Sequence, residues 1–191
     1  MLQKLVVVLV TLLGCALLIV LGAYSGLYDV GADRPHLAAT QALLTLLRER
    51  SIERRAAAVA VPALDDPARV REGAEHYSAM CVDCHLAPGI TVSEIRAGLL
   101  PQPPNLSQVS ITPNIAFWVI KHGIKASGMP AWGETHDDEK IWNIVAFVRQ
   151  LPHLSPEQYR AMTAVEEGEG AENEAHHRGE HAHEHEHTGA N

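Results

Sequence analysis

The chain has 191 residues and a mass of 20.8 kDa, enough for one modest domain with extensions or for two very small domains. Its formal net charge of −8 is concentrated at the C-terminus, where residues 165–191 hold eight glutamates and one arginine. The remaining residues are close to neutral and contain no basic run, so the composition argues against nucleic-acid binding. Three cysteines, one of them in an apolar leader, are too few for a secreted disulfide framework.

The N-terminus is apolar over residues 5–23, which carry no charge. A helix of this length spans roughly 28 Å, close to the roughly 30 Å hydrocarbon core of a bilayer. Lys4 precedes the segment and Tyr24 follows it, an order that favours a cytoplasmic N-terminus and an interfacial aromatic side chain. We therefore predict a single-pass anchor over residues 1–23 in the cytoplasmic (inner) membrane, with the rest of the chain on the periplasmic side.

Two other interpretations of this segment stay open. The residues before Cys15 loosely resemble a lipoprotein processing site, with Cys15 as the lipidated residue, and a cleaved signal peptide is the other alternative. Further apolar or small residues follow Cys15 without the polar residue that usually starts a mature lipoprotein, which favours an uncleaved anchor. Each interpretation places the rest of the chain outside the cytoplasmic membrane.

Residues 24–65 are predicted to form a linker and an amphipathic helix. Between Pro35 and Pro62 there is no glycine or proline, and alanine, leucine, arginine and glutamate dominate. Leucines share one face and arginines crowd the polar side: Leu43, Leu44 and Leu47, and Arg48, Arg50, Arg54 and Arg55. Such a helix packs against the domain, spaces it from the membrane, or docks onto a partner subunit or an anionic lipid surface. The sequence does not separate these roles.

Residues 66–152 carry three helix starts and no strand-like alternation. Asp66-Pro67 and Thr112-Pro113 each place proline at a first helical position, and Thr135 begins a capping-box-like sequence with Asp138. The intervening segment 86–111 is proline-rich, with a short helix expected near 91–99. An all-α domain this small usually needs a staple, which a bound prosthetic group would supply.

The sequence CVDCH at residues 81–85 allows four interpretations. Zinc is disfavoured because no second half-site is present, and a thioredoxin-like dithiol because no βαβ pattern surrounds it. A disulfide between Cys81 and Cys84 stays possible but closes a very short loop. Cys-x-x-Cys-His is the attachment pattern of c-type haem, in which two thiols add to the vinyl groups and the histidine, here His85, becomes the proximal iron ligand.

A haem site needs a second axial ligand, and Met129 is the candidate. It lies between Gly128 and Pro130 in a loop, so that it belongs to no helical stripe of core residues. Ligation by histidine and methionine raises the reduction potential of the iron. Met80 is too close to the attachment site to reach the distal face, and His122 is a weaker alternative at a predicted helix end.

With these residues, the stretch 66–152 resembles class I (mono-haem) c-type cytochromes, here in a membrane-anchored bacterial form. Gly73 and Tyr77 precede the cysteines as in that family's first helix, and Trp142 and Phe147 resemble the aromatic positions of its last helix. The resemblance implies that Pro104 accepts a hydrogen bond from the proximal histidine. It also implies one covalent haem c per chain, within a pocket shaped and packed by aromatic side chains: Tyr77, Trp132, Trp142 and Phe147.

The C-terminal segment 153–191 is predicted to be a tail that is disordered from about residue 165, because it is rich in acidic and polar residues. Histidines alternate with carboxylates in a composition able to chelate a divalent metal: His176, His177, His181, His183, His185 and His187. A solubilising tail is the alternative.

Together these features predict an all-α, membrane-anchored, periplasmic electron carrier that is not an enzyme by itself. Its expected partners are redox proteins or a membrane oxidoreductase complex, of which it could be a permanent cytochrome subunit docked through the helix at 36–61. A second alternative is a metal-handling or sensing haem protein that uses the histidine-rich tail.

Overall fold

A computed structural model describes residues 1–164, in which helices are joined by loops and turns. The histidine-rich tail, with the disorder and the divalent-metal sites predicted for it, lies outside the described residues. The eight α-helices of the described part are α1 (Leu2–Tyr24), α2 (Ala38–Ala56), α3 (Pro67–Met80), α4 (Val82–His85), α5 (Glu94–Ala97), α6 (Pro113–His122), α7 (Asp138–Gln150) and α8 (Pro156–Thr163). The all-α prediction is confirmed.

Helix α1 is long and apolar enough to cross a membrane and is the one helix of residues 1–164 that meets this criterion. None of its side chains is buried against the rest of the protein. An unpacked apolar helix needs an apolar environment, which a bilayer provides.

The core is built around α7, in which residues 141–148 are all buried. This helix crosses α3 at Gly73, where a β-carbon would lie only 1.9 Å from the backbone oxygen of Asn143. The absence of a side chain at Gly73 therefore permits the close approach of the two helices. On the other side of α7, Trp142 stacks on Phe117 of α6, with ring centroids 4.1 Å apart.

Four of the eight described helices, namely α3, α5, α7 and α8, begin at an acidic or hydroxyl side chain that accepts a backbone hydrogen bond. Asp66 accepts a hydrogen bond from the backbone N–H of Ala68 at 2.9 Å, as its position before Pro67 predicts. Helix α7 begins later than predicted, because Asp137 rather than Thr135 is its N-cap. Thr135 is instead the C-cap of a 3-10 turn at Trp132–Glu134, and its N–H donates to the carbonyl oxygen of Trp132 at 3.0 Å.

The packed part extends past residue 152. After a 3-10 turn at Leu151–His153, Ser155 and Gln158 form a capping box that starts α8. Tyr159 of α8 is buried, with its ring 6.3 Å from that of Phe147. The first residues of the predicted tail thus belong to the folded core.

Helix α2 lies against α6 through its C-terminal end. Ala56 is fully buried, and its carbonyl oxygen accepts a hydrogen bond from the side chain of Asn114 at 3.1 Å. The leucines of α2 stay exposed: Leu43, Leu44, Leu46 and Leu47.

Candidate functional site

A cavity of about 620 Å³ lies between α6, α7 and the loops that follow α4 and α6. This volume is in the ordinary range for sites that hold a cofactor or another small molecule. Its lining is mostly apolar and includes Ile115, Val119, Ile120, Ile144 and Val148. The same cavity is lined by the four donors that the sequence predicts for the haem site: Cys81, Cys84, His85 and Met129.

The two cysteines and the histidine are brought together by the single turn α4. The backbone N–H groups of Cys84 and His85 both donate to the carbonyl oxygen of Cys81, at 3.2 and 2.9 Å. The next residue, Leu86, donates to the carbonyl of Val82 at 2.8 Å. Both thiols are free in the structure, so the turn presents two separate sulfur atoms to the cavity.

His85 is oriented by a backbone acceptor. Its Nδ1 donates to the carbonyl oxygen of Pro104 at 3.0 Å, which places the proton on Nδ1 and leaves Nε2 free to bind a metal. Burial lowers the pKa of His85, the charge of Arg96 lowers it further, and the bond to Pro104 opposes both effects. A neutral imidazole with a fixed ring is the form that ligates iron.

The thiols do not have the character of a redox dithiol. Burial, and then the neighbouring Cys84, raise the pKa of Cys81 to about 12. The pKa of Cys84 is raised by burial and by the charge of Asp83. A catalytic dithiol requires a lowered pKa, because the thiolate is the nucleophile.

The loop that carries Met129 is folded back onto the end of α6. Ile124 donates to the carbonyl oxygen of Met129 at 3.1 Å, and the N–H of Met129 donates to the hydroxyl of Ser127 at 3.1 Å. Gly123 has a φ of +62°, and a β-carbon there would lie 2.7 Å from the oxygen of Met129. The loop geometry therefore depends on a glycine at the helix end.

The other candidates lie differently. His122 is exposed, with its ring 4.9 Å from that of Trp118, and does not line the cavity. Met80 lines the cavity but directly precedes Cys81 in the sequence.

Of the aromatic side chains expected around the pocket, Tyr77 and Trp132 line it, whereas Trp142 and Phe147 pack behind it in the core. The hydroxyl of Tyr77 donates to the carbonyl oxygen of Leu86 at 2.6 Å and so joins α3 to the residue that follows α4. Burial raises the pKa of this tyrosine above its ordinary range, which keeps the hydroxyl protonated as a donor.

Two arginines near the site were not foreseen from the sequence. Arg96 of α5 donates to the carbonyl oxygen of Pro103 at 3.0 Å, next to the acceptor of His85. Arg48 of α2 lines the cavity itself, together with Glu49. The sequence contained one indication of the position of Arg48. Arg48, Ile52 and Ala56 are spaced by four residues and therefore lie on one face of the helix.

The helical fold and the CVDCH sequence at residues 81–85 are those of a class I cytochrome c domain. Residues 68–148, less than half of the chain, match the family described as cytochrome C oxidase, cbb3-type, subunit III. No curated protein and no solved structure matches the chain. The family implies a covalently bound haem c and a general role in electron transfer.

The residues of the cavity fit such a group. Two thiols with the required spacing, a neutral imidazole with a free Nε2, and a thioether all line one apolar cavity. Because these donors come from α4 and from the loop after α6, the folded domain brings together residues that are 44 positions apart in sequence.

Proposed function

We propose that the chain is a membrane-anchored periplasmic mono-haem cytochrome that transfers single electrons. In this proposal Cys81 and Cys84 would hold the haem covalently, and His85 and Met129 would bind its iron. The observation that carries it is the convergence of all four donors on one apolar cavity. Residues 66–152 would form the haem domain, and α1 its anchor.

When bound, the haem supplies a one-electron Fe³⁺/Fe²⁺ couple. The carbonyl of Pro104 holds the proton of His85 on Nδ1, so that the imidazole offers Nε2 in a fixed direction. The thioether of Met129 favours the reduced form, and the apolar walls from α6 and α7 exclude water. His85 and Met129 would both hold the iron, and no coordination site would then remain for a substrate.

The localisation proposal rests on α1. Its length and composition suit a membrane span, and its side chains are free of contacts with the domain. A cleaved signal peptide or a lipidated Cys15 would also export the domain. Mass spectrometry of the mature protein distinguishes the three forms, since only the anchored form retains residues 1–23 without a lipid.

The optical spectrum of the purified full-length protein tests the axial ligands. The oxidised protein should show a low-spin covalent haem with the weak far-red band of a sulfur-to-iron bond. Met129→Leu should abolish this band, lower the reduction potential and leave the haem attached, because the thiols and His85 are untouched.

Met80→Leu is the matched control, since Met80 lines the same cavity. It should leave the band and the spin state unchanged. A high-spin spectrum in the unmodified protein, or loss of the band in Met80→Leu but not in Met129→Leu, contradicts the assignment of Met129.

A second proposal concerns the partner: the chain is a permanent cytochrome subunit of a membrane oxidase. The family match favours it, because the family is described as a subunit of cytochrome c oxidase. Helix α2 provides an apolar surface for a membrane-embedded subunit, since Leu43 and Leu47 are more than half exposed. A free carrier is the alternative.

Purification in mild detergent separates the two roles. An oxidase subunit should co-purify with haem-containing membrane subunits, and the double variant Leu43→Gln, Leu47→Gln should release it. Val92→Gln is the control, because Val92 is also apolar and is even more exposed but lies outside α2. Recovery of the unmodified chain alone, with full electron-transfer activity towards a soluble acceptor, supports the free carrier.

A further inference from the structure

The side of α2 that faces the domain is not the side that carries its leucines. Its large apolar side chains point outward, with Leu44 and Leu47 exposed by 47% and 58%. Its inward stripe is instead formed by Arg48, Ile52 and Ala56, at intervals of four residues, of which Ala56 is fully buried. An arginine therefore lies on the packing face of a helix whose leucines face away from it.

This helix is fixed against the wall of the cavity. The hydrogen bond from Asn114 to the carbonyl of Ala56 joins α2 to the first turn of α6, and the next residue, Ile115, lines the cavity. Arg48 lies two turns before Ala56 and lines the same cavity, although α2 precedes the matched family segment 68–148. The cavity is therefore completed by a helix from outside the matched family segment.

Among the described residues that line the cavity, Arg48 is the one lysine or arginine, and Glu49 is the one carboxylate. The side chain of Arg48 is 33% exposed and that of Glu49 is 59% exposed. Their closest charged atoms are 3.9 Å apart, which is too long for a hydrogen bond. Arg48 thus keeps its donors available and is the more enclosed of the two.

A c-type haem carries two carboxylate side chains. Carboxylates that enter an apolar cavity lose hydration and require a donor, and a guanidinium provides two parallel hydrogen bonds to one carboxylate. Resting on the haem site of the proposed function, we infer that Arg48 pairs with a carboxylate of the haem. Helix α2 is then part of the haem site, and Arg48 is a binding residue that also tunes the reduction potential.

The direction in which Arg48 should shift the reduction potential follows from its charge. The oxidised iron carries one more positive charge than the reduced iron, so a nearby cation disfavours oxidation. Arg48→Gln should lower the equilibrium constant for reduction about three- to tenfold, where tenfold corresponds to 59 mV for one electron. Arg48→Lys keeps the charge and should restore most of the shift.

Arg50→Gln is the matched control, because it removes the same charge from the same helix. Arg50 is 77% exposed and pairs with Glu53 at 3.2 Å, so its charge is screened by solvent. Its removal should change the equilibrium constant less than twofold.

The experiment is a redox titration of the full-length proteins in detergent, after the spectrum has shown covalent haem in each. A larger shift in Arg48→Gln than in Arg50→Gln, recovered in Arg48→Lys, supports the inference. Equal shifts in the two glutamine variants overturn it, and so does an Arg48→Lys protein that behaves like Arg48→Gln. If Arg48→Gln fails to mature, Arg48→Lys is compared with the unmodified protein, and a change of threefold or more in the equilibrium constant for reduction overturns the inference.

These outcomes are separate from a failure of the proposed function. If the unmodified protein shows covalent haem with His/Met ligation and only the Arg48 comparison fails, the cytochrome assignment stands. If the unmodified protein binds no haem, both proposals fall.

Discussion

Helices α2 and α7 differ in how much of each the domain buries. The 19 residues of α2 contribute one buried residue, Ala56, whereas the 13 residues of α7 contribute eight in succession. Helix α7 is held by its tertiary contacts with α3 and α6. Helix α2 owes its helicity to a sequence without glycine or proline and keeps its side chains available for other surfaces.

Truncating one large side chain on each helix gives the sharpest test of this difference. Phe147→Ala on α7 should destabilise the protein by about 3–5 kcal/mol, because the ring is fully buried. Leu47→Ala on α2 should change the stability by less than about 0.5 kcal/mol, because the side chain is 58% exposed. Chemical unfolding followed by circular dichroism in detergent measures both values. Similar losses for the two variants would place α2 in the core.

The crossing of α7 with α3 should tolerate no side chain at Gly73. Gly73→Ala places a methyl group 1.9 Å from the backbone oxygen of Asn143, so the helices must separate. We expect a loss of about 1–3 kcal/mol in the free energy of unfolding. Gly98→Ala is the control, because the nearest atom to its β-carbon lies at 3.7 Å and belongs to Ile95. Equal midpoints of thermal unfolding for the two variants would contradict the close crossing.

Arg96 is expected to help orient His85 through the backbone carbonyl groups of Pro103 and Pro104. Arg96→Met removes the donor to Pro103 at 3.0 Å and should cost about 1 kcal/mol of stability. It should also loosen the neighbouring carbonyl that orients His85, which broadens the haem resonances in NMR spectra. Arg71→Met, at an exposed position of α3, removes the same charge and should show neither effect. An unchanged spectrum in Arg96→Met would limit Arg96 to a structural role.

The smallest effect is expected outside these helices, at the start of α8. Bonds to its own backbone N–H and to Ser155, with the nearby charge of Arg160, lower the pKa of Glu157 in the folded state. The charged form therefore stabilises the fold above the ordinary glutamate pKa, and this contribution is lost as the pH falls through the lowered value.

Glu157→Gln should slightly lower the thermal midpoint at neutral pH and leave it unchanged in strong acid. Glu75→Gln, which removes an exposed carboxylate of α3, is the control for net charge. A difference between Glu157→Gln and the unmodified protein that persists in strong acid would exclude an electrostatic cause.

The sequence was informative where a function depends on local spacing. The turn that joins Cys81, Cys84 and His85 follows from three residues within five positions, and Met129 was visible as a loop methionine between glycine and proline. The helical class followed from proline, glycine and capping residues. These patterns are short-range, so a single chain displays them without knowledge of its fold.

The remaining features depend on tertiary contacts. Helix α7 begins at Asp138 rather than near Thr135, because Thr135 ends the 3-10 turn that starts at Trp132. Tyr159 is buried because it packs near Phe147, which is distant in sequence. The inward position of Arg48 opposes the hydrophobic pattern of α2, which predicts that the leucines face the domain. A charged residue that faces inward against the pattern is typical of functional or strained sites, but only the structure shows which face is covered.

The chain between α1 and α2 determines how far the domain can travel in the anchored form proposed above. Residues 25–37 connect Tyr24 to Ala38 and extend to roughly 45 Å at most. A tether of this length confines the domain to a thin layer above the bilayer, where a membrane-bound partner meets it at an effective concentration on the order of millimolar. Encounters with that partner then become intramolecular in character, and even a weak docking surface is sufficient for repeated electron transfer.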